Sequence, residues 1–185
     1  MDLQRFELTL IGDTPLIANQ WSEKAKRKMR EKQQQDPQKG REKRDPDAEY
    51  EAATYYFPDG ETFGFPSVAF KASAVAACRF VAGLAMTEAR GAFHVEGELV
   101  KIEGKRSMRE DMVRVGMGAA DLRYRPMFEG WRTVLPITHN ATAMSMAQIV
   151  SLFSQAGFGV GVGEWRPSSK ATGPYGRYHI AEAGE

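Results

Sequence analysis

The chain has 185 residues, a formal net charge of +1, 42% hydrophobic and 26% charged residues, which is the composition of an ordinary globular domain with one substantial core. No apolar run approaches the length of a bilayer span, which excludes a helical membrane protein, and the opening MDLQRFELTLIG lacks the basic start and unbroken apolar core of a secretory signal, so a cytoplasmic location is expected. A single cysteine, Cys78, excludes an internal disulfide and a thiolate zinc cluster; set among Ala and Val, it reads as a buried core thiol.

Taken in chain order, the first strand is expected at Arg5 to Ile11, with Phe6, Leu8 and Leu10 on one side and Glu7 and Thr9 on the other, closed by Pro15. A charged stretch from Trp21 to about Glu51 follows, read as an insertion (about 20–58) made of a solvated helix and a loose loop near Asp36, Pro37 and Gly40. Its basic run includes Lys26, Arg27 and Lys28, balanced further on by Asp45, Asp47, Glu49 and Glu51, so the small net charge conceals a local basic surface. The first helix is expected over Phe65 to Val81 with Ser67 as N-cap, and Lys71 and Arg79 project from its less buried side. A second strand is expected at about Ala92 to Ile102.

From 104 to 130 the chain reads as a second, irregular insertion, in which Arg106, Arg109, Arg114, Arg123 and Arg125 interleave with Met108, Met112, Tyr124 and Phe128. Trp131 to Ile137 reads as a strand, Asn140 to Ala156 as a helix ended by Gly157, and Gly176 to Ala181 as the last strand. Strand, helix, strand, strand, helix, strand is the ferredoxin-like order, so an α+β fold is expected, with an RRM-like βαββαβ core in a single domain, 1–185, carrying two long insertions.

The segment Gly157 to Tyr178, GFGVGVGEWRPSSKATGPYGRY, is the most informative. Its glycines, Gly157, Gly159, Gly161 and Gly163, permit positive φ and leave backbone amides accessible, while Trp165, Arg166, Lys170, Tyr175 and Arg177 offer charge and flat π-faces. That combination suits a single nucleic-acid strand; the bland alternative is a helix C-cap followed by a surface hairpin.

Three places resemble the RAMP superfamily, the ferredoxin-like proteins that include subunits of CRISPR ribonucleoproteins: the step Thr14, Pro15, Leu16 after the opening strand; FGFPSVAFKASAVAACR at Phe63 to Arg79; and the glycine-rich segment after the last helix. The match is to a divergent member, since Ala72 stands where a glycine commonly follows the lysine, and a stand-alone or phage-borne relative fits that divergence. The resemblance implies a RAMP-like fold, binding of single-stranded RNA or DNA, and head-to-tail packing of copies along the strand. The main reading is therefore a non-enzymatic protein that coats a single strand as an oligomer. The alternatives are a structural subunit of a CRISPR-like ribonucleoprotein or of a phage replication or recombination assembly, and a metal-independent RAMP-type riboendonuclease.

The cationic track is assigned to Lys26, Arg27, Lys28, Lys71, Arg79, Arg114, Arg123, Arg125, Arg166, Lys170 and Arg177, and the stacking surfaces to Trp165 and Tyr175, with Trp131 placed in the sheet. Arg123 and Arg125 have the alternative of outward positions in an unrecognised strand. No catalytic residue is assigned: His94, His139 and His179 have no Ser or Lys partner in sequence. No metal and no cofactor is expected, because ligand spacings are lacking and GFGVGVG follows a helix where a dinucleotide fingerprint follows a strand.

Overall fold

The structure, a computed structural model, describes residues 1–20, 44–115 and 119–182. Strand β1 (Leu3–Gly12) buries Leu8 and Leu10, with Phe6 half-buried on the same side, as its period-two pattern dictates. It pairs antiparallel with β7 (Ala119–Asn140), from Leu3 opposite Asn140 to Ile11 opposite Arg132. Ile137 of β7 faces Phe6 across one edge and Val95 of β4 (Phe93–Val95) across the other. On its far side β1 pairs with β8 (Tyr178–Ile180). The resulting core runs β4-β7-β1-β8 with every neighbour antiparallel. Helix α2 (Ser67–Ala77) connects β1 towards β4, and α4 (Met146–Gly159) connects β7 to β8, so the expected strand and helix order is present.

Several elements depart from the expected ones. The stretch 104–130 is a long antiparallel hairpin in which β6 (Glu103–Val115) pairs with the first half of β7, from Glu103 opposite Arg132 to Val115 opposite Ala119. Its alternation is hard to read because neither face is uniformly apolar: Arg109, Asp111, Arg123 and Arg125 share one side, and Met108, Glu110, Met112, Leu122 and Tyr124 the other. The expected strand at 92–102 is two strands, β4 and β5 (Leu99–Lys101), separated by a turn with Gly97 at φ 81; β5 pairs with β3 (Gly64–Pro66) in a separate two-stranded sheet. A short β2 (Leu16–Ile17) pairs with β7 at Phe128 and Met127. Within the first insertion, helix α1 (Pro46–Ala52) starts at Asp45, whose carboxylate accepts from the amides of Asp47 and Ala48 at 3.1 and 3.2 Å. A further helix, α3 (Met86–Ala92), precedes β4.

Helix α4 starts with a capping box: Ser145 Oγ accepts from the Gln148 amide at 3.3 Å, and the Gln148 side chain accepts from the Ser145 amide at 2.9 Å. It does not end at Gly157 but continues to Gly159. Gly157 answers a packing need instead, since a Cβ there would lie 1.9 Å from the Tyr178 carbonyl oxygen. Both long helices cover the sheet. Phe70 of α2 meets Trp131 and Tyr178, each at 6.3 Å between ring centres, and Phe153 of α4 meets Phe93 at 6.0 Å. Fully burying such a ring contributes about 1.5–3 kcal/mol. Trp131 lies in the core as expected, its indole N–H donating to the Thr14 carbonyl at 2.8 Å. Cys78 is buried and free, and burial pushes its thiol pKa up, consistent with an inert core residue.

Candidate nucleic-acid interface

Between α4 and β8 the chain makes a close-packed loop. Gly163, at φ 79, sits where a Cβ would be 2.5 Å from the Ile17 carbonyl oxygen, and Gly176, at φ 65, where one would be 1.8 Å from that of Val162. Only glycine satisfies both constraints. The amides of Gly161, Val162, Glu164 and Gly176 donate to the carbonyls of Ala156, Gly176, Ile17 and Pro15 at 2.8 to 2.9 Å. The expectation that this loop exposes its amides is therefore corrected for these four, which are spent on the loop itself. Gly157 is buried under Tyr178, Gly159 ends α4, and Gly161 and Gly163 form the turn.

This rigid loop presents Trp165 and Tyr175 to the hairpin. Trp165 is the one non-glycine residue with positive φ, 52°, among the described residues, a conformation that costs energy and is held by its surroundings. Its ring centre lies 5.1 Å from the Arg109 guanidinium carbon and 5.4 Å from that of Arg125; Tyr175 lies 4.7 Å from Arg109 and 6.2 Å from Trp165. Arg109 donates to the Tyr175 hydroxyl at 2.9 Å and pairs through Nε with Asp111 at 2.8 Å. Burial works against its charge, but the hydrogen bonds and charges of Asp111 and Tyr175 together outweigh this, so its pKa is raised. Arg125 is buried, with Asp111 at 3.5 Å and Glu164 at 3.3 Å. Two arginines thus meet two aromatics, with a buried carboxylate, Asp111, and a partly exposed one, Glu164, beside them.

The structure brings Arg125, Trp165 and Tyr175 together and leaves the other expected residues around or apart from them. Arg123 shares the hairpin face with Asp111 as its register partner, is half-exposed, and pairs with Asp121 at 3.1 Å. The alternative of two outward arginines is thus corrected for Arg125, which turns inward because Trp165, Asp111 and Glu164 receive it. Arg166 donates to the Gly163 carbonyl at 2.9 Å, bracing the loop, and Lys170 is exposed on it. Lys71 lies elsewhere, its ammonium 3.1 Å from His94 Nδ1, with burial lowering its pKa. Arg79 and Arg177 lie over Phe80 and Phe158, with 5.6 and 5.3 Å from guanidinium carbon to ring centre. Lys26, Arg27, Lys28 and the Arg114 side chain lie outside the described residues.

Sequence reasoning did not assign roles to Arg109, Asp111, Glu164, Phe80 or Phe158. The hairpin carried a usable signal: alternating charges on either side of Gly116 and Gly118, the pattern of two strands joined by a glycine turn.

The histidines are dispersed. His139 is buried with Nδ1 2.9 Å from the Met144 carbonyl, His179 Nδ1 stands 2.6 Å from Asp13 Oδ1, and His94 faces Lys71, the spatial partner that the sequence alone lacks. Among the described residues no group of three or more His, Cys, Asp or Glu could hold a metal ion, and no described helix is long and apolar enough to cross a membrane.

Fold and cluster together define an α+β protein whose antiparallel sheet carries an arginine–aromatic cluster at the junction of a long hairpin and a glycine-rich loop. Among solved structures the chain is similar to the crystal structure of Cmr6 from Pyrococcus furiosus, at 8% identity and a TM-score of 0.46, over 98% of this chain and 100% of that one. No family model and no curated protein matches the sequence.

Proposed function

We propose that this chain is a non-enzymatic, RAMP-like protein that binds single-stranded nucleic acid at the junction of hairpin and glycine loop. The observation that carries the reading is the convergence of Arg109 and Arg125 from the hairpin with Trp165 and Tyr175 from the loop. A single strand needs cations for phosphates and flat rings for bases, and stacking contributes about 1–3 kcal/mol per base. Arg123, Arg166 and Lys170 extend the cationic surface around the rings. Arg-stacked rings held by a rigid loop lose little entropy on binding.

The chain works as a subunit in this reading. Near-neutral net charge lets copies, or other subunits, pack side by side without strong repulsion. Two settings fit the motif resemblance: a ribonucleoprotein of CRISPR type, with RNA as the strand, and head-to-tail copies coating a strand on their own. Fluorescence anisotropy with labelled single-stranded RNA, single-stranded DNA and duplex DNA at two salt concentrations tests the reading. Salt-sensitive binding to single strands above duplex is expected, and the preferred sugar tells an RNA strand from a DNA strand. Absence of binding to any oligonucleotide at low salt overturns direct strand binding.

A further inference from the structure

Two of the most exposed aromatic rings in the described structure lie at neighbouring helix ends. Phe158, on the last turn of α4, is 70% exposed, and Phe80, ending the 3₁₀ turn (Cys78–Phe80) after α2, is 53% exposed. The Phe80 ring lies against Gly159, 3.6 Å from where a Cβ would stand, which brings Phe80 to the end of α4 that carries Phe158. Each carries a guanidinium: Arg79 over Phe80 at 5.6 Å and Arg177 over Phe158 at 5.3 Å. Among the described residues no carboxylate pairs with either arginine. Arg79 spends only Nε, on the Ala76 carbonyl at 2.9 Å, and Arg177 has a buried Nε with no hydrogen-bond partner.

A bland account makes both arginines complements to helix dipoles, since each lies near a helix C-terminus. That accounts for the charges but not for the rings, which a monomer gains nothing by exposing. We infer that Phe80, Phe158, Arg79 and Arg177 form a second strand-binding platform, on which two nucleobases stack while the guanidiniums take the adjoining phosphates. The occupant is a segment of single-stranded nucleic acid rather than an apolar helix, because an apolar partner would leave two unpaired guanidiniums at its contact. The inference rests on the proposed strand binding and adds to it a site separate from the Trp165 cluster.

The test uses the full chain with fluorescein-labelled 15-nucleotide uridine and thymidine oligomers. Phe158→Ala and Phe80→Ala are each expected to weaken binding roughly tenfold, with the folded state unaffected because both rings are exposed. Phe158→Trp is expected to keep the affinity and to add fluorescence that the oligomer quenches. If the wild type binds and both alanine variants bind equally well, the platform is overturned while strand binding at the loop stands. If instead they keep strand affinity but sediment as smaller species, the patch is an interface between copies and the inference is likewise overturned. If the wild type binds neither oligomer, the functional reading itself falls, and the platform with it.

Discussion

Glu164 Oε2 lies 3.3 Å from Nη1 of Arg125, a buried guanidinium that also stands 5.4 Å from the centre of the Trp165 ring. The loop carboxylate thus occupies a place that a phosphate oxygen would take beside Arg125 and Trp165. The Glu164 carboxylate is partly exposed and makes no second hydrogen bond among the described residues, so a strand can displace it. Removing its charge favours the strand: Glu164→Gln is expected to tighten single-strand binding about two- to fivefold at low salt, the equivalent of about 0.5–1 kcal/mol for one ion pair whose carboxylate is exposed. Anisotropy titrations of both proteins check it, and unchanged or weaker binding counts against phosphate binding at Arg125.

Arg125 and Asp111 are both nearly excluded from solvent, and breaking such a pair from one side leaves a buried charge. Their geometry is not ideal: Asp111 Oδ2 and Arg125 Nε make no hydrogen bond. Asp111 also retains Arg109 as partner at 2.8 Å. Arg125→Ala is therefore expected to cost about 3 kcal/mol, the lower end for buried pairs, read from urea unfolding. Arg125→Lys is expected to cost less, keeping charge but losing the flat contact with Trp165.

Much of the core was legible because its signals are local. Phe6, Leu8 and Leu10 alternate, Ile149, Leu152 and Phe153 recur at helical spacing, and Trp131 begins an apolar strand segment, so β1, the body of α4 and the buried part of β7 follow from pattern. The hairpin was not legible as such because it projects beyond the core and carries charge on one face and methionine on the other, which removes the burial contrast that pattern reading depends on. The cluster was half legible for the same reason: Trp165 and Tyr175 stood out in their loop, while Arg109 and Glu164 acquire meaning only when β6 pairs with β7 and the loop packs on Ile17. Phe80 fell inside an expected helix and Phe158 inside the expected glycine loop, and the exposure of either ring is not encoded by spacing alone.

Two helical glycines make opposite demands. Gly157 leaves no room, a Cβ being 1.9 Å from the Tyr178 carbonyl oxygen, whereas Gly91 of α3 has nothing within 4 Å. Gly157→Ala must push α4 away from β8 and is expected to destabilise by about 2 kcal/mol or more, as overpacking against backbone does. Gly91→Ala is expected to stabilise by about 0.5–1 kcal/mol, through helix propensity and a less flexible unfolded chain. Thermal melts of the two variants give shifts of opposite sign; a neutral Gly157→Ala would mean that helix and strand are not in that close contact.

Among the described residues, His94 and Lys71 are the one His–Lys pair that could be mistaken for an acid–base couple, at 3.1 Å. Among the described residues no second histidine or carboxylate hydrogen-bonds to either, and the pair's surroundings include the Phe93 ring, 6.0 Å from the ammonium. His94→Ala and Lys71→Ala are expected to leave a labelled RNA oligomer as intact as the wild type does, on denaturing gels after long incubation. Cleavage by the wild type that either substitution abolishes would establish the riboendonuclease instead.

Tyr178 gives a pH dependence with a definite sign. Its side chain is buried between Phe70 and Trp131, its hydroxyl 3.5 Å from Ser73 Oγ, and burial pushes its ionisation well above the usual phenol range, with Ser73 pulling weakly back. The raised folded value means that this residue's contribution is complete below the unfolded pKa, about 10, and is lost as pH rises from there towards the folded value. Stability should therefore fall above about pH 10 by up to about 1.4 kcal/mol per pH unit from this one group. Tyr178→Phe removes the ionisable hydroxyl and only one long hydrogen bond, so the variant should match the wild type within about 1 kcal/mol at pH 7. Its stability should decline less steeply between pH 10 and 11.5. Tyr50 and Tyr56, whose phenols burial also raises, leave a residual slope in both proteins. Equal slopes for variant and wild type in urea unfolding would show that Tyr178 ionises without opening the contact between α2, β7 and β8.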